Sequence, residues 1–226
     1  MARGRTDVDV SANWSCPMNN EASLHIGFDP LCGWCFGAIP AIRHVQKHVP
    51  DLEIELLLGG LFTGEAIRPY NRLFDFIKSA SVGLERVTGK RPSQRFFDVI
   101  AAPDAPMASS LEPCDAIRQV QDIAPHKALS FAHRSQEMHF EEGRDLNDPR
   151  VYAELTYELD VPEIETEYWS DRRHLQHVLT PSFATCRAYG ITSFPSYVLE
   201  TDQRYPVRCS YEGDELIKEI VYRIQV

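Results

Sequence analysis

The sequence of 226 residues predicts an α/β fold, a small mixed sheet divided by an all-helical insertion. Three observations predict it. Residues 23 to about 60 read strand, helix, strand. Between about residues 63 and 180 only helix signals occur. Strand character then returns near residue 194, followed by an amphipathic helix. The order is therefore β-α-β, a helical block, then β-β-α.

Each element has its reason. Ser23 to Phe28 (SLHIGF) is a short apolar run, ended by Asp29-Pro30 because proline cannot donate to a ladder. After Cys32 the period changes: Ile39, Ile42, Val45 and Val49 recur at threes and fours. Pro40 falls inside that helix and predicts a kink. Leu52 to Leu58 is a second strand, closed by Gly59-Gly60. Strands joined by a helical crossover are normally parallel. In the middle block, a helix starts at Ser110 or Glu112 through Pro113. Ala128, Phe131, Ala132, Ser135 and Met138 make another stripe. Asp148-Pro149 starts a third helix, with proline in the first helical position. Pro162 predicts a short helix with Ile164 and Tyr168, and a last one carries Leu175, Leu179 and Phe183, interrupted at Pro181. Phe194 to Leu199 and the alternation Tyr205, Val207, Cys209 predict a hairpin with Cys209 facing the core. Gly213-Asp214 caps a closing helix through Leu216, Ile217, Ile220 and Val221. The expected organisation is a loose tail at 1–20, one domain from 21–62 and 180–226, and a helical insertion at 63–179.

Composition narrows the function. A net charge of −10 disfavours wrapping nucleic acid or sitting on an anionic membrane. No apolar run approaches a bilayer span. The N-terminus has arginines but no apolar stretch behind them, so a cytoplasmic location is expected, or a periplasmic one if a leader precedes this sequence. Outside secretion, Asn13-Trp14-Ser15 is a chance match to a glycosylation sequon. Six cysteines do not make a disulfide scaffold at this length.

The chemistry concentrates in "DPLCGWCFGAIP", residues 29 to 40. Cys32 and Cys35 stand where a strand ends and a helix begins. Free N–H groups and a partial positive charge at a helix N-terminus favour a thiolate, so Cys32 is the activated member and Cys35 the inward one. A structural zinc site wants two further closely spaced ligands. Cys114, Cys186 and Cys209 are scattered, and His44/His48 and His174/His177 lie on separate helical segments, so no metal is expected. Cys114 and Cys186 read as core thiols, Cys16 as a thiol in the tail, and Glu141-Glu142 beside Arg144 as a solvated helix end. In "GITSFPSYVL", Pro195 opens a strand, where a cis Phe194-Pro195 bond would explain it.

Together these motifs resemble the thioredoxin superfamily, and the helical block resembles its DsbA-like branch. "DPLCGWCFGAIP", "GGLF" at 59–62, "VTGK" at 87–90 and "SSLEPCDAI" at 109–117 are similar to the group of that branch provisionally named protein-disulfide isomerases. The resemblance covers about residues 22 to 226. It implies a thioredoxin fold and a thiol-disulfide oxidoreductase with Cys32 attacking, Cys35 resolving and Pro195 as the cis-proline beside them. The backbone at Phe194 would pair with an extended substrate segment. Gly33, Trp34 and Phe194 are the candidate substrate contacts; Trp34 is either an apolar surface for substrate or a half-exposed residue at the helix start. The buried acid common six positions before the first cysteine is here Ile26, which leaves water or Asp29 to take the Cys35 proton, unless Asp29 only caps the turn. Trp34 brings no positive charge, which implies a milder potential than that of strongly oxidising members. Protein or small-molecule disulfides and dithiols are the expected substrates, with a separate redox partner and no cofactor. Two other readings stand beside this one. One is a glutathione-dependent enzyme like the kappa-class transferases and 2-hydroxychromene-2-carboxylate isomerases, which usually carry serine at the position of Cys32. The other is a non-enzymatic client-binding module.

Overall fold

The computed structural model describes residues 22–224. The tail expected at 1–20, with Cys16 and the Asn13 sequon, lies outside the described residues. β1 (Ser23–Phe28) turns into α1 (Gly33–His48), which returns to β2 (Glu53–Leu58). The insertion follows with β3 (Arg68–Pro69), α2 (Phe74–Thr88), α3 (Gln94–Ala101) and β4 (Met107–Ala108). It continues through α4 (Leu111–Ile123), α5 (Pro125–Phe140) and α6 (Pro149–Leu159). α7 (Arg172–Ala188) then leads back to β5 (Ser196–Glu200), β6 (Arg204–Val207) and α8 (Gly213–Ile224). This is the β-α-β, helices, β-β-α plan of a thioredoxin fold with an inserted helical subdomain.

The sheet has the order β2-β1-β5-β6. β1 runs parallel to β2 and antiparallel to β5, and β6 is antiparallel to β5. Register puts Leu56, Ile26, Tyr197 and Val207 in one row across the sheet. That face is covered by Phe36, Ile39, Ile42 and Val45 of α1 and by Leu216, Ile217 and Ile220 of α8, all buried. His44 Nε2 and Asp214 Oδ1, 2.7 Å apart, pin α1 to α8. On the other face Leu57 and Val198 pack against Cys186 and Ile191 at the end of α7. Cys114 and Cys186 are both buried, as expected of core thiols.

Several sequence expectations need correction. The middle block is not purely helical, because β3 and β4 form a two-residue antiparallel ladder. Strands that short have no period for a sequence pattern to reveal. The helix expected from Pro162 is only a 3₁₀ turn, Glu167–Ser170. The Gln119 side chain accepts from the Glu165 N–H and donates to the Glu165 carbonyl, both at 2.8 Å, so it takes the backbone bonds a helix would use. α7 runs from Arg172 to Ala188 without the interruption expected at Pro181. Pro181 is exposed, so water can reach the backbone carbonyl it leaves unpaired. The domain boundary expected between residues 179 and 180 thus falls inside α7. Pro40 lies inside α1, where the sequence places it. β6 ends at Val207, so the alternation does not reach Cys209, which is exposed and not in the core.

Candidate active site

The site begins where β1 stops. The Cys32 N–H donates to the Asp29 carbonyl at 3.1 Å and closes the turn. Cys32 occupies the N-cap position of α1, with extended φ and ψ of −82° and 112°. Its carbonyl accepts the first helical bond, from the Phe36 N–H at 3.1 Å. Cys35 lies one turn further along, against the sheet. Cys32 keeps 6% of its surface exposed and Cys35 only 1%, so an incoming reagent meets Cys32 first.

Electrostatics separates the two thiols. A hydrogen bond from Cys35 and the N–H groups of Cys35 and Trp34 pull the Cys32 pKa below its ordinary value, against burial and the Asp29 charge. Burial pushes the Cys35 thiol well up, and a charged Cys32 pushes it further. This is the division a nucleophile and its resolving partner need.

The opposite wall comes from the start of β5. The Phe194–Pro195 peptide is cis. The Cys32 thiol donates to the Phe194 carbonyl at 3.4 Å, joining residues 162 apart in sequence. The half-buried Phe194 ring rests directly on Gly59, where a Cβ would come 1.9 Å from Cζ. Only glycine leaves room for that ring. At Gly33 an added Cβ would meet Leu84 at an ordinary 3.6 Å, so Gly33 is not sterically required.

Asp29 is fully buried and engages both oxygens. Oδ1 accepts from the Leu31 N–H at 2.9 Å and the Ser110 hydroxyl at 3.2 Å; Oδ2 accepts from the Leu61 N–H at 2.6 Å. Burial raises its pKa in spite of these bonds. Ser110 holds the N-cap position of α4, yet its hydroxyl does not cap the helix. It accepts from the Phe62 N–H at 2.9 Å as well as donating to Asp29. Asp29 therefore ties the thiol loop to the loop after β2 and to the insertion. Ile26 is wholly buried in the sheet core.

Two residues of the site carried no clear signal in the sequence. Gln136 on α5 is fully buried, and its Nε2 lies 3.3, 3.1 and 3.2 Å from the carbonyls of Asp29, Pro30 and Cys32. Its position beside the apolar stripe of α5 was the one available hint. Tyr70 is the other: its hydroxyl lies 3.0 Å from His139 Nε2, while His139 Nδ1 lies 2.9 Å from the Arg144 carbonyl. A neutral His139 satisfies both contacts, and burial lowers its pKa to about 4.

Beside Cys32 opens a cleft of about 430 Å³, lined chiefly by Trp34, Phe62, Phe76, Leu84, Phe96 and Phe194. Among the described residues no Asp, Glu, Lys, Arg or His side chain lines it. The half-buried Trp34 packs its ring 5.8 Å from that of Tyr211. Phe76 on α2 leaves 73% of its surface exposed at the rim. His44 and His48 stack at 4.0 Å, remote from this site. Among the described residues no group of three His, Cys, Asp or Glu is placed to hold a metal ion.

No protein-family model and no curated protein matches the sequence. Solved structures do match. A Nitrosomonas europaea protein provisionally named a protein disulfide isomerase superposes with a TM-score of 0.73 at 21% identity, over 91% of this chain and 98% of that one. The cytosolic disulfide reductase DsbM of Pseudomonas aeruginosa superposes at 0.72 with 24% identity, over 90% and 98%. Its form with GSH gives 0.73 and 22%, over 90% and 100%. A 2-hydroxychromene-2-carboxylate isomerase gives 0.52 at 12%, over 90% and 96%. At these identities the similarity establishes the fold alone: a thioredoxin fold with helices inserted between its halves.

Proposed function

We propose that this thioredoxin-fold chain is a thiol-disulfide oxidoreductase in which Cys32 and Cys35 form the redox pair. The observation that carries the reading is the opposed tuning of the two thiols, Cys32 down and Cys35 up, at the start of one helix. Cys32 thiolate attacks a substrate disulfide; a mixed disulfide forms and the first substrate thiolate leaves. Cys35 then gives up its proton and attacks the Cys32 sulfur. The second substrate thiolate leaves and a Cys32–Cys35 disulfide remains. The substrate has gained two electrons and the protein has lost two, so a dithiol or glutathione must return them. We assign Asp29 a bracing role, since both its oxygens already accept hydrogen bonds. The Cys35 proton then leaves through water.

Substrate contacts follow the cleft. Trp34, Gly33 and Phe194 border the approach to Cys32, and the Phe194 carbonyl is the acceptor for an extended segment beside Pro195. The apolar lining favours disulfides flanked by apolar residues. The similarity to a cytosolic reductase, one form of which holds GSH, supports a cytosolic reductase role and glutathione as the returning dithiol equivalent. Two cysteines set the chain apart from the serine-bearing isomerase pattern. A second reading, client binding without redox chemistry, draws on the cleft and its exposed Phe76.

One experiment separates these. The protein is equilibrated in glutathione buffers of graded potential, and its fast-alkylating thiols are counted, with Cys32→Ser as control. The expected outcome is a two-electron transition absent from the variant. A midpoint near about −270 mV marks a reductase and one near about −120 mV an oxidant. Thiols without any transition would leave client binding as the function.

A further inference from the structure

Three backbone carbonyls of the thiol loop point at one buried place. Those of Asp29, Pro30 and Cys32 all face the Gln136 amide nitrogen, within 3.1 to 3.3 Å. An amide nitrogen has two hydrogens, so at least one is shared, which fits three contacts at the long end of the normal range. Two of these carbonyls also do local work: that of Asp29 closes the turn onto the Cys32 N–H, and that of Cys32 takes the first bond of α1. Without a donor between them, three partial negative charges would face each other in a dry space beside Cys32.

Gln136 breaks a local rule to be there. Its Oε1 is buried, and among the described residues it has no hydrogen-bond partner. Phe131, Ala132 and Met138 on the same helix are wholly buried and apolar. A methionine of similar shape would fill the same space and bring no unpaired oxygen of its own. A side chain that costs stability at one end and gathers three carbonyls at the other is where function overrides packing.

We propose that Gln136 is a positioning residue for the redox pair: its amide quenches the three carbonyls and holds the first turn of α1 with its N–H groups open to the Cys32 sulfur. The insertion thereby sets the reactivity of a thiol that belongs to the sheet half. This rests on the redox reading above, because it concerns the same thiol.

The test uses the full chain with Gln136→Met, which keeps the shape and removes the donors, and Gln136→Glu. A glutamate buried there stays protonated and retains one O–H donor. Three readouts are taken: the pH dependence of Cys32 alkylation, the midpoint in glutathione buffers, and thermal melting. The Cys32 pKa is expected to rise by about one unit in Gln136→Met, which moves the whole alkylation profile to higher pH by the same amount. Gln136→Glu is expected to fall between that variant and the parent. The midpoint should move to more negative potential in the same order, because the reduced form loses its stabilised thiolate. Gln121→Met is the control. Gln121 donates to the Leu56 carbonyl at 2.8 Å, and its loss should lower melting without moving either thiol readout. Variants that melt cooperatively but keep the parental thiol pKa and midpoint would overturn the inference, as would failure of both variants to fold. A parent protein with no two-electron transition would instead sink the redox reading itself.

Discussion

The segment that carries the thiols and the helices that enclose it are built on different terms. From β1 through α1 the interior is mostly apolar: Leu24, Ile26, Phe28, Phe36, Ile39, Ile42 and Val45 are all within 1% of complete burial, and His25 and Asp29 are its buried polar side chains. From the start of α4 to the end of α5 the interior is rich in polar groups, with Ser109, Ser110, Glu112, Asp115, His133, Ser135, Gln136 and His139 buried. Asp115 shows why. With no exposure, it accepts from Trp169 Nε1 at 2.8 Å, the Tyr168 hydroxyl at 2.5 Å and Arg118 at 2.8 Å. The apolar part presents a reactive group; the polar part holds things in place, including that group. A rigid wall needs no direction, but a thiolate does, and direction comes from hydrogen bonds.

This contrast can be broken from either side. The largest effect belongs to the apolar part: Cys32→Ser should abolish disulfide reduction, while Cys35→Ser should accumulate a mixed disulfide with substrate that mass spectrometry detects. Next comes Asp115→Ala, which strands Trp169, Tyr168 and Arg118 at once. It should cost about 3–5 kcal/mol in urea denaturation while leaving the alkylation profile of any folded fraction unchanged. Equal losses in both readouts would dissolve the distinction.

Acid should act through the polar part as well. Burial holds His133 at a pKa of about 3 and His139 at about 4, both below the ordinary value of 6.5. The unfolded chain therefore takes up protons first as pH falls below 6.5. Stability present above that pH is lost on the way toward 4, by about 1.4 kcal/mol per pH unit for each histidine. His133→Leu should flatten that limb in a denaturation series. If it leaves the limb unchanged, the burial argument fails. Smaller again is Gly59→Ala. Its methyl displaces the Phe194 ring and, with it, the carbonyl beside Cys32, for an expected loss of about tenfold in kcat/KM with little change in melting. Smallest is Phe76→Ser at the cleft rim, which should leave stability within about 0.5 kcal/mol. It should weaken turnover of apolar disulfide substrates a few-fold, and equal turnover of apolar and charged substrates would remove the cleft from the account.

The same contrast governs what the sequence made legible. β1, α1, β2 and α8 could be read because long apolar patterns fix their faces, and Cys32 and Cys35 because they sit where the pattern changes period. Pro195 was legible because proline is out of place at the head of a strand. Gln136 was not: a lone glutamine on a helix reads as solvent-facing, and only the docking of α5 against the thiol loop gives it three carbonyls. Ser110 was visible as a helix start, but its bond to Asp29 spans 81 residues and has no local trace. Gln119 erased the helix expected after Pro162 by the same kind of long reach, since it binds the backbone 46 residues on. Cys209 was misplaced because alternation was extended beyond the last paired residue of β6.

The bond between the Cys32 thiol and the Phe194 carbonyl has a consequence for how the protein comes into being. A chain leaving the ribosome exposes Cys32 long before Gln136, 104 residues later, or Phe194, 162 residues later, exists to meet it. Until then α1 has only the β1–β2 pair to lie on and no amide to order its first turn, and Cys32 lacks the partners that would activate it. Under the proposed redox role, the thiol is fully activated only when β5 docks and brings the Phe194 carbonyl to it. On that proposal the molecule is spared an activated nucleophile during the interval in which its own loose cysteines, and those of neighbouring nascent chains, would be the nearest targets.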